Sequence, residues 1–192
     1  MKYPLLLLAV GLLVRPCLAE RLPAATSDWL LDAAPYKARV TTNGDGRELE
    51  LSNGLLRRVI RISPNAATVA LDHLGTGESL LRGVKPEAIV EIDGRRFDVG
   101  GLKGQPNYAF LRPEWVAQLR SDPTAFRYVG HEVGVPTERL AWKRTRHHAP
   151  DVQWPPAGVT LRLDFAWPTV LAMEGIPSAA GRDLVWSDDF TK

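Results

Sequence analysis

The chain is almost devoid of cysteine. Its single thiol belongs to Cys17, which lies in a segment with the features of a removable leader, described next. Without that leader the chain contains no thiol at all. We therefore expect no disulfide bonds, no cysteine nucleophile and no thiolate metal site, although an oxidising compartment would allow disulfides.

No apolar run is long enough to cross a membrane. The main one extends from Leu5 to Val14, about half of the roughly 20 residues that a spanning helix needs. Lys2 precedes it and small side chains follow it. This pattern is typical of a secretory signal peptide over residues 1–19, cleaved before Glu20. We expect a secreted or periplasmic protein that has no membrane partner after cleavage.

Charge of one sign is not in excess either. The full chain has 24 lysines and arginines against 22 aspartates and glutamates. The predicted signal peptide carries Lys2 and Arg15, so its removal leaves the two signs equal in number. A protein that binds nucleic acid or an anionic membrane would show a basic excess. We therefore expect neither partner, and the sequence leaves the oligomeric state open.

What the sequence does contain is a series of short β-type segments. They alternate apolar and polar residues or are rich in β-branched side chains, over residues 37–42, 47–52, 55–62, 67–74, 88–92, 95–100, 126–133 and 159–167. This length and spacing predict an all-β domain, an antiparallel β-sandwich. We assign it to residues 37–168, with a lead-in over 20–36 and a linker plus a truncated C-terminal segment over 169–192.

Two local signals interrupt this pattern. Asp93 and Gly94 stand between two alternating segments and predict a two-residue hairpin turn. Pro113 opens a stretch with one apolar helical face, formed by Trp115, Val116 and Leu119. The sequence thus predicts one short helix, which we expect to cap an end of the sandwich.

A glycine-rich stretch follows the predicted strand at 95–100. Gly100, Gly101 and Gly104 could indicate a phosphate-binding loop, but Pro106 stands where a helix should begin and no Lys-Ser or Lys-Thr pair ends the stretch. A long shaped loop is the better interpretation. It offers polar and aromatic groups for binding, namely Gln105, Asn107 and Tyr108.

The segment from Arg144 to Pro156 concentrates functional side chains. His147 and His148 are adjacent and point to opposite faces of an extended chain, so they cannot easily chelate one metal ion together. No spacing such as HExxH supplies further ligands. One hypothesis is a strand end whose imidazoles bind backbone or carboxylate groups. The other is a proline-stiffened loop that recognises a polyol through Arg146, His147, His148, Gln153 and Trp154.

No catalytic machinery is evident in the sequence. Carboxylate pairs occur at Glu48 and Glu50, Glu87 and Glu91, and Asp188 and Asp189, and the sequence places none of them at the separation that glycoside hydrolysis requires. The first pair alternates with leucines and is interpreted as the solvent-facing side of a strand. No GxSxG motif occurs. We predict no catalytic residue, no metal and no cofactor in this chain.

Several stretches together resemble a known family. They are SNGL from Ser52, TGESLLR from Thr76, GGLKGQ from Gly100 and HHAPDVQWPP from His147. Over residues 28–168 the chain resembles the N-terminal β domain of secreted bacterial alpha-galactosidase-like enzymes of glycoside hydrolase family 36. In that family a large β-supersandwich precedes a (β/α)8 barrel. The barrel supplies both catalytic aspartates for retaining hydrolysis of O-glycosyl bonds.

The resemblance implies an incomplete, non-catalytic supersandwich domain that supports a carbohydrate site whose barrel lies outside this chain. The rim of that site would be formed by Gln105, Asn107, Tyr108, Arg146, His147, His148 and Trp154. Alone, the chain would bind a galactoside-like carbohydrate weakly or not at all. The alternative is a free-standing secreted module that binds carbohydrate or another protein.

Overall fold

The computed structural model of the protein describes residues 28–43, 45–140, 155–168 and the backbone of 184–190. Within these ranges ten strands and one short helix occur. The strands are β1 Arg39–Thr42, β2 Glu48–Ser52, β3 Leu56–Arg61, β4 Ala67–His73, β5 Glu78–Ser79, β6 Ala88–Ile92, β7 Arg95–Val99, β8 Arg127–Gly134, β9 Val159–Ala166 and β10 Leu184–Phe190. The helix, α1, is Pro113–Val116. The all-β prediction is confirmed.

The strands form three antiparallel sheets in the described ranges. The largest has the order β1-β2-β3-β4-β5, in which each strand pairs with its neighbour in the chain. A second sheet is the hairpin β6-β7, and the third has the order β10-β9-β8. The chain thus builds its sheets from consecutive strands, as short loops favour.

A hydrophobic core lies between the sheets. Alternate residues of each strand point to one face, so every second apolar side chain is available to this core. It contains Leu49 and Ile60 of the large sheet, Phe97 and Val99 of the hairpin, and Leu161, Leu163 and Phe165 of β9. Burying each such side chain contributes about 1.5–3 kcal/mol before the entropy of ordering the chain is subtracted. The packing of sheet against sheet makes the fold β-sandwich-like.

A second core covers the opposite face of the large sheet. Val59, Ala67 and Val69 pack there against Val84, Leu102, Val116 and Leu119. Helix α1 begins at Pro113, as predicted, but it covers a sheet face instead of capping an end of the sandwich. The reason is that Val59 and Ile60 are neighbours on β3 and point to opposite sides, so both faces of the large sheet carry apolar groups that need cover.

The hairpin between β6 and β7 has the predicted turn. Asp93 and Gly94 have φ values of 51° and 73°, which are the two positive angles of a type I′ turn. Ile92 pairs with Arg95 across it. The turn therefore fixes the register that sends Phe97 and Val99 into the core.

Strand β10 lies beyond the predicted end of the domain at residue 168. Its backbone pairs with β9 along its whole length, from Leu184 opposite Phe165 to Phe190 opposite Val159. The third sheet therefore uses part of the segment that was assigned to a linker and C-terminal piece.

The predicted signal peptide and residues 20–27 of the lead-in lie outside the described residues. The rest of the lead-in ends at Tyr36, which is buried beside the turn glycine Gly54. The described part of the chain contains no helix that is both long enough and apolar enough to span a bilayer.

Candidate functional site

The glycines after β7 allow two backbones to approach closely. Gly100 has φ +63° and its amide donates to the carbonyl of Phe126 at 3.1 Å; Gly101 has φ +89° and donates to the carbonyl of Ala66 at 2.6 Å. A Cβ on Gly101 would lie 2.9 Å from the Cα of Pro86. The positive φ angles and the crowding account for these glycines without a phosphate ligand.

Gln105 fixes the shape of the loop that follows. Its Oε1 accepts from the amide of Val84 at 2.9 Å. Its Nε2 donates to the carbonyls of Arg82, Asn107 and Phe110 at 3.0, 2.6 and 3.2 Å. The residue is buried and its amide is fully occupied by backbone groups. Gln105 therefore positions the loop and does not offer a free group at a rim, which corrects the role predicted for it.

Asn107 and Tyr108 lie on the exposed part of the same loop. The Oδ1 of Asn107 accepts from the amide of Ala109 at 2.8 Å. The Tyr108 ring is 46% exposed and packs over Gly83, where an added Cβ would lie 2.6 Å from the ring. The Nζ of Lys85 lies 3.9 Å from its centroid, within the range of a cation–π contact. These two residues are therefore presented to solvent on a fixed support.

Tyr108 borders a cavity of about 140 Å³, which we call the loop cavity. Gly100, Gly101 and Leu102 line it together with four charged side chains, those of Lys85, Asp98, Lys103 and Asp122. Lys103 forms an ion pair with Asp122, whose Oδ1 also accepts from the amide and hydroxyl of Thr124 at 2.8 and 2.7 Å. These hydrogen bonds, first of all the one from Lys103, lower the pKa of Asp122 to about 2.

The titration of Asp122 is expected to be visible in solution. Because its pKa in the folded chain lies below the usual 3.8, its ion pair stabilises the fold above about pH 4 and this contribution is lost as the pH falls through about 2. Lys103 is 61% exposed, so solvent screening keeps the contribution below about 1 kcal/mol. Carboxyl carbon NMR should show Asp122 titrating near pH 2. A midpoint near 4 in the folded chain would contradict the ion pair.

The other predicted rim residues lie outside the described ranges. Arg146, His147, His148 and Trp154 all belong to residues 141–154. The structure thus brings Asn107 and Tyr108 together on one loop supported by Gln105. The remaining four residues stay a prediction, as does the carbohydrate role of the whole set.

A second concave surface lies on the large sheet and was not anticipated from the sequence. We call it the sheet groove; its volume is about 490 Å³. Its charged lining comes from β2, β3 and β4 and consists of Glu48, Glu50, Arg57, Arg61 and Asp72. The sequence interpretation of Glu48 and Glu50 as a freely solvated strand face was too simple. Their side chains are only 23% and 36% exposed, and each forms an ion pair with an arginine of β3.

The strand register explains why these charges meet. Glu48 lies opposite Arg61, and Arg57 lies opposite Asp72. Opposite charges on paired positions of one face stabilise a sheet. The sequence carried a usable signal, since two glutamates and two arginines each recur at an even spacing on neighbouring strands. It becomes informative only once the turn between β2 and β3 sets the register.

Two further titratable groups have structural partners. The carboxylate of Glu87 is buried, accepts from the Thr68 hydroxyl at 2.8 Å and pairs with Arg58. The Nδ1 of His131 is hydrogen-bonded to the Tyr128 hydroxyl at 2.7 Å. Among the described residues no group of three or more His, Cys, Asp or Glu side chains is placed to hold a metal ion.

Fold and surface together define the chain as an antiparallel, β-sandwich-like protein with a small loop cavity and a larger charged groove. No protein family, curated protein or solved structure matches it.

Proposed function

We propose that this chain is the non-catalytic β-sandwich domain of a secreted glycoside hydrolase of the alpha-galactosidase-like kind. In this proposal it supports and rims a carbohydrate site whose catalytic residues belong to another domain. The observation that carries the proposal is the loop around Tyr108. It presents an exposed aromatic ring and an amide side chain on a rigid support beside a cavity that is too small to hold a sugar alone.

The size of the loop cavity favours a shared site. Pockets that enclose a small ligand measure about 300–1,000 Å³, whereas the loop cavity measures about 140 Å³. A sugar placed against Tyr108 would thus remain mostly in water. Its apolar face could stack on the ring, and its hydroxyls could bind Asn107. A second surface would have to close over it, as expected of a rim.

The groove carboxylates support a non-catalytic role. A glycosidase needs one carboxyl group that delivers a proton and a second that acts as nucleophile or base. Glu48 accepts two hydrogen bonds from Arg61 at 2.6 and 3.0 Å, and Asp72 accepts two from Arg57 at 2.8 and 3.1 Å. Both of these carboxylates act as acceptors for a neighbouring arginine, so neither is arranged as a proton donor to a substrate.

A free-standing binding module is the second candidate function. The sheet groove favours it, because its volume of about 490 Å³ falls within the range of self-sufficient ligand sites. The two proposals differ in what they expect of the isolated chain. A rim domain binds sugar weakly and at the loop, whereas a module binds without any other domain.

Activity and binding assays of the purified secreted chain test the proposal. We expect no hydrolysis of an aryl alpha-galactoside. Methyl alpha-galactoside should shift the backbone amide NMR signals of residues 107–111 without reaching saturation. Tyr108→Ala should abolish these shifts, whereas Trp29→Ala, which changes another exposed aromatic residue, should preserve them.

Two outcomes would contradict the proposal. One is turnover that survives purification and disappears when a single carboxylate is neutralised, because the domain would then be catalytic. The other is a sugar response that leaves the amide signals of residues 107–111 unchanged, because the loop would then not be a rim.

A further inference from the structure

The sheet groove combines an apolar surface with charged side chains that are held on strands, as a binding site does. Its floor is apolar and is formed by Val59, Val69 and Ala70, and the segment with Leu111, Pro113 and Val116 forms a wall. Charged side chains from three adjacent strands occupy the remainder. Strands hold such groups more firmly than loops do, because the ladder of hydrogen bonds fixes their spacing.

One end of the groove is held by Glu48 and Arg61. Besides the two bonds from Arg61, the Oε2 of Glu48 accepts from the Nδ2 of Asn43 at 3.0 Å. The Nη1 of Arg61 donates to the carbonyl of Val116 at 3.0 Å and so ties the wall to the sheet. Both charged groups therefore have hydrogen-bond partners, and this end of the groove stabilises the fold and is not available to a ligand.

The middle of the groove keeps unused hydrogen-bonding capacity. Arg57 donates from Nε and Nη2 to the same oxygen of Asp72, Oδ2, and its Nη1 lies 3.6 Å from Oε2 of Glu50, which is longer than a hydrogen bond. Within the described part of the chain, Oδ1 of Asp72 and Oε1 of Glu50 have no donor. Arg57 thus keeps one donor, Nη1, without a hydrogen bond, and each of its two acidic neighbours keeps one free acceptor.

We propose that the sheet groove binds a neutral saccharide through adjacent hydroxyl groups. A pair of neighbouring hydroxyls needs donors and acceptors within a few ångströms of each other, which Arg57, Asp72 and Glu50 provide. The C–H face of the ring is apolar and fits against Val59, Val69 and the Leu111 wall. None of the described residues that line the groove is aromatic, so we expect weak, millimolar affinity.

The charges of the groove disfavour an anionic ligand. Arg57 and Arg61 are already paired with carboxylates, so an anion would have to displace a partner that lies 2.6–2.8 Å away. The one excess negative charge, which Glu50 and Asp72 share around the guanidinium of Arg57, makes a cation the rival occupant that the titration has to distinguish from a sugar. A neutral ligand leaves these pairs intact and still satisfies the free atoms, so it avoids the cost of breaking a partly buried ion pair.

This inference goes beyond the proposed function, since the groove and the loop cavity share no lining residue in the part of the chain that the structure describes. The two sites respond to sugar at different amides. A failure of one proposal is therefore distinguishable from a failure of the other.

The test is an NMR titration of the isotopically labelled secreted chain with D-galactose, D-glucose and D-mannose. At least one sugar should shift the backbone amides around Glu50, Arg57 and Asp72 along a saturable curve. Arg57→Gln and Glu50→Ala should each weaken this binding at least tenfold. Glu50 is the safer variant for folding, because its contact with Arg57 is long and its side chain is 36% exposed.

Matched controls change the same residue types outside the groove. Arg47→Gln alters an arginine that is 68% exposed, and Glu91→Ala alters an exposed glutamate on β6; both should bind sugar as the unchanged chain does. The proposal is overturned if none of the three sugars shifts the groove amides, or if both groove variants bind normally. It is also overturned if spermidine binds there saturably and the sugars do not, because the groove would then be a cation site.

Discussion

Replacing Gly100 with alanine is expected to lower the free energy of unfolding by about 2–5 kcal/mol. Two costs combine in this substitution. Gly100 has φ +63°, and a left-handed conformation costs an L-residue about 1–2 kcal/mol. The new methyl group would also overlap the carbonyl oxygen of Ala66 and lie 3.1 Å from Cε1 of Phe165. Overpacking of this kind costs about 1–3 kcal/mol.

The site cannot relax easily around that methyl group. The Gly100 amide donates to Phe126, and the next amide, that of Gly101, donates to the same Ala66 carbonyl that the methyl would overlap. Moving the Ala66 carbonyl away would therefore break a 2.6 Å hydrogen bond. We expect the penalty to appear in stability and not only as a local shift.

Urea denaturation of the two proteins, followed by tryptophan fluorescence, measures the difference. Gly94→Ala is the matched control, because Gly94 has φ +73° and no atom within 4 Å of the added Cβ. Gly94→Ala introduces only the backbone penalty of the positive φ angle, so its free energy of unfolding should fall by about 1–2 kcal/mol. Equal losses for the two variants would show that the crowding at Gly100 is absent.

Asn65→Ala is expected to lower the free energy of unfolding by about 2–4 kcal/mol. Asn65 is only 1% exposed. Its Oδ1 accepts from the amides of Ala66 and Tyr128 at 3.0 and 2.8 Å, and its Nδ2 donates to the carbonyl of Phe126 at 3.0 Å. The substitution leaves the Tyr128 amide without its acceptor in a site that water does not reach. An unsatisfied buried group of this kind costs about 1–3 kcal/mol, and the lost side-chain volume adds to that.

The carbonyl of Phe126 keeps a partner, because Gly100 donates to it; this keeps the expected loss below 5 kcal/mol by the same reasoning. The control is Asn53→Ala in the turn after β2. The Oδ1 of Asn53 also accepts from two backbone amides, those of Leu55 and Leu56, both at 2.9 Å. That turn is only partly buried, so water replaces the side chain and the loss should stay near 1 kcal/mol. A similar loss at both positions would contradict the buried role of Asn65.

Asn65→Asp gives the same prediction a pH-dependent readout. A carboxylate can accept from both amides but cannot donate to Phe126, and desolvation should raise its pKa above the usual value of about 3.9. A raised pKa in the folded chain means that the variant is most stable below about pH 4 and loses stability as the pH rises through the folded pKa. As the pH is raised from 4 to 7, the urea midpoint of this variant should therefore decrease relative to that of the unchanged chain. A constant difference over this range would contradict the burial of the carboxylate.

The strands were largely predictable because their signals are local. Alternation of apolar and polar residues predicts a strand wherever one face is buried, and Asp93-Gly94 predicts a type I′ turn through the positive φ that glycine and aspartate tolerate. The segment that forms β10 was not predicted as a strand of this domain. It lacks clear alternation, and its pairing with β9 depends on a strand distant in the sequence.

The candidate site was predictable only in part. The glycine-rich stretch pointed to the loop with Asn107 and Tyr108. The role of Gln105 could not be foreseen, because all but one of its backbone partners are brought to it by the folding of the chain around residues 82–84 and 110. The sheet groove was missed for a related reason. Its charges come from three strands, and each strand taken alone has an ordinary polar face.

The sequence by itself therefore determined the all-β class, most strand positions and the hairpin turn at Asp93, because each of these depends on residues that are close together in the sequence. Only the tertiary structure decided which strand faces meet, that α1 covers a sheet instead of an end, and that Gly100 and Asn65 stand at a crowded junction. It also decided that Glu50, Arg57 and Asp72 converge in one groove. These outcomes depend on register and on packing between distant segments, and no local pattern encodes either of them.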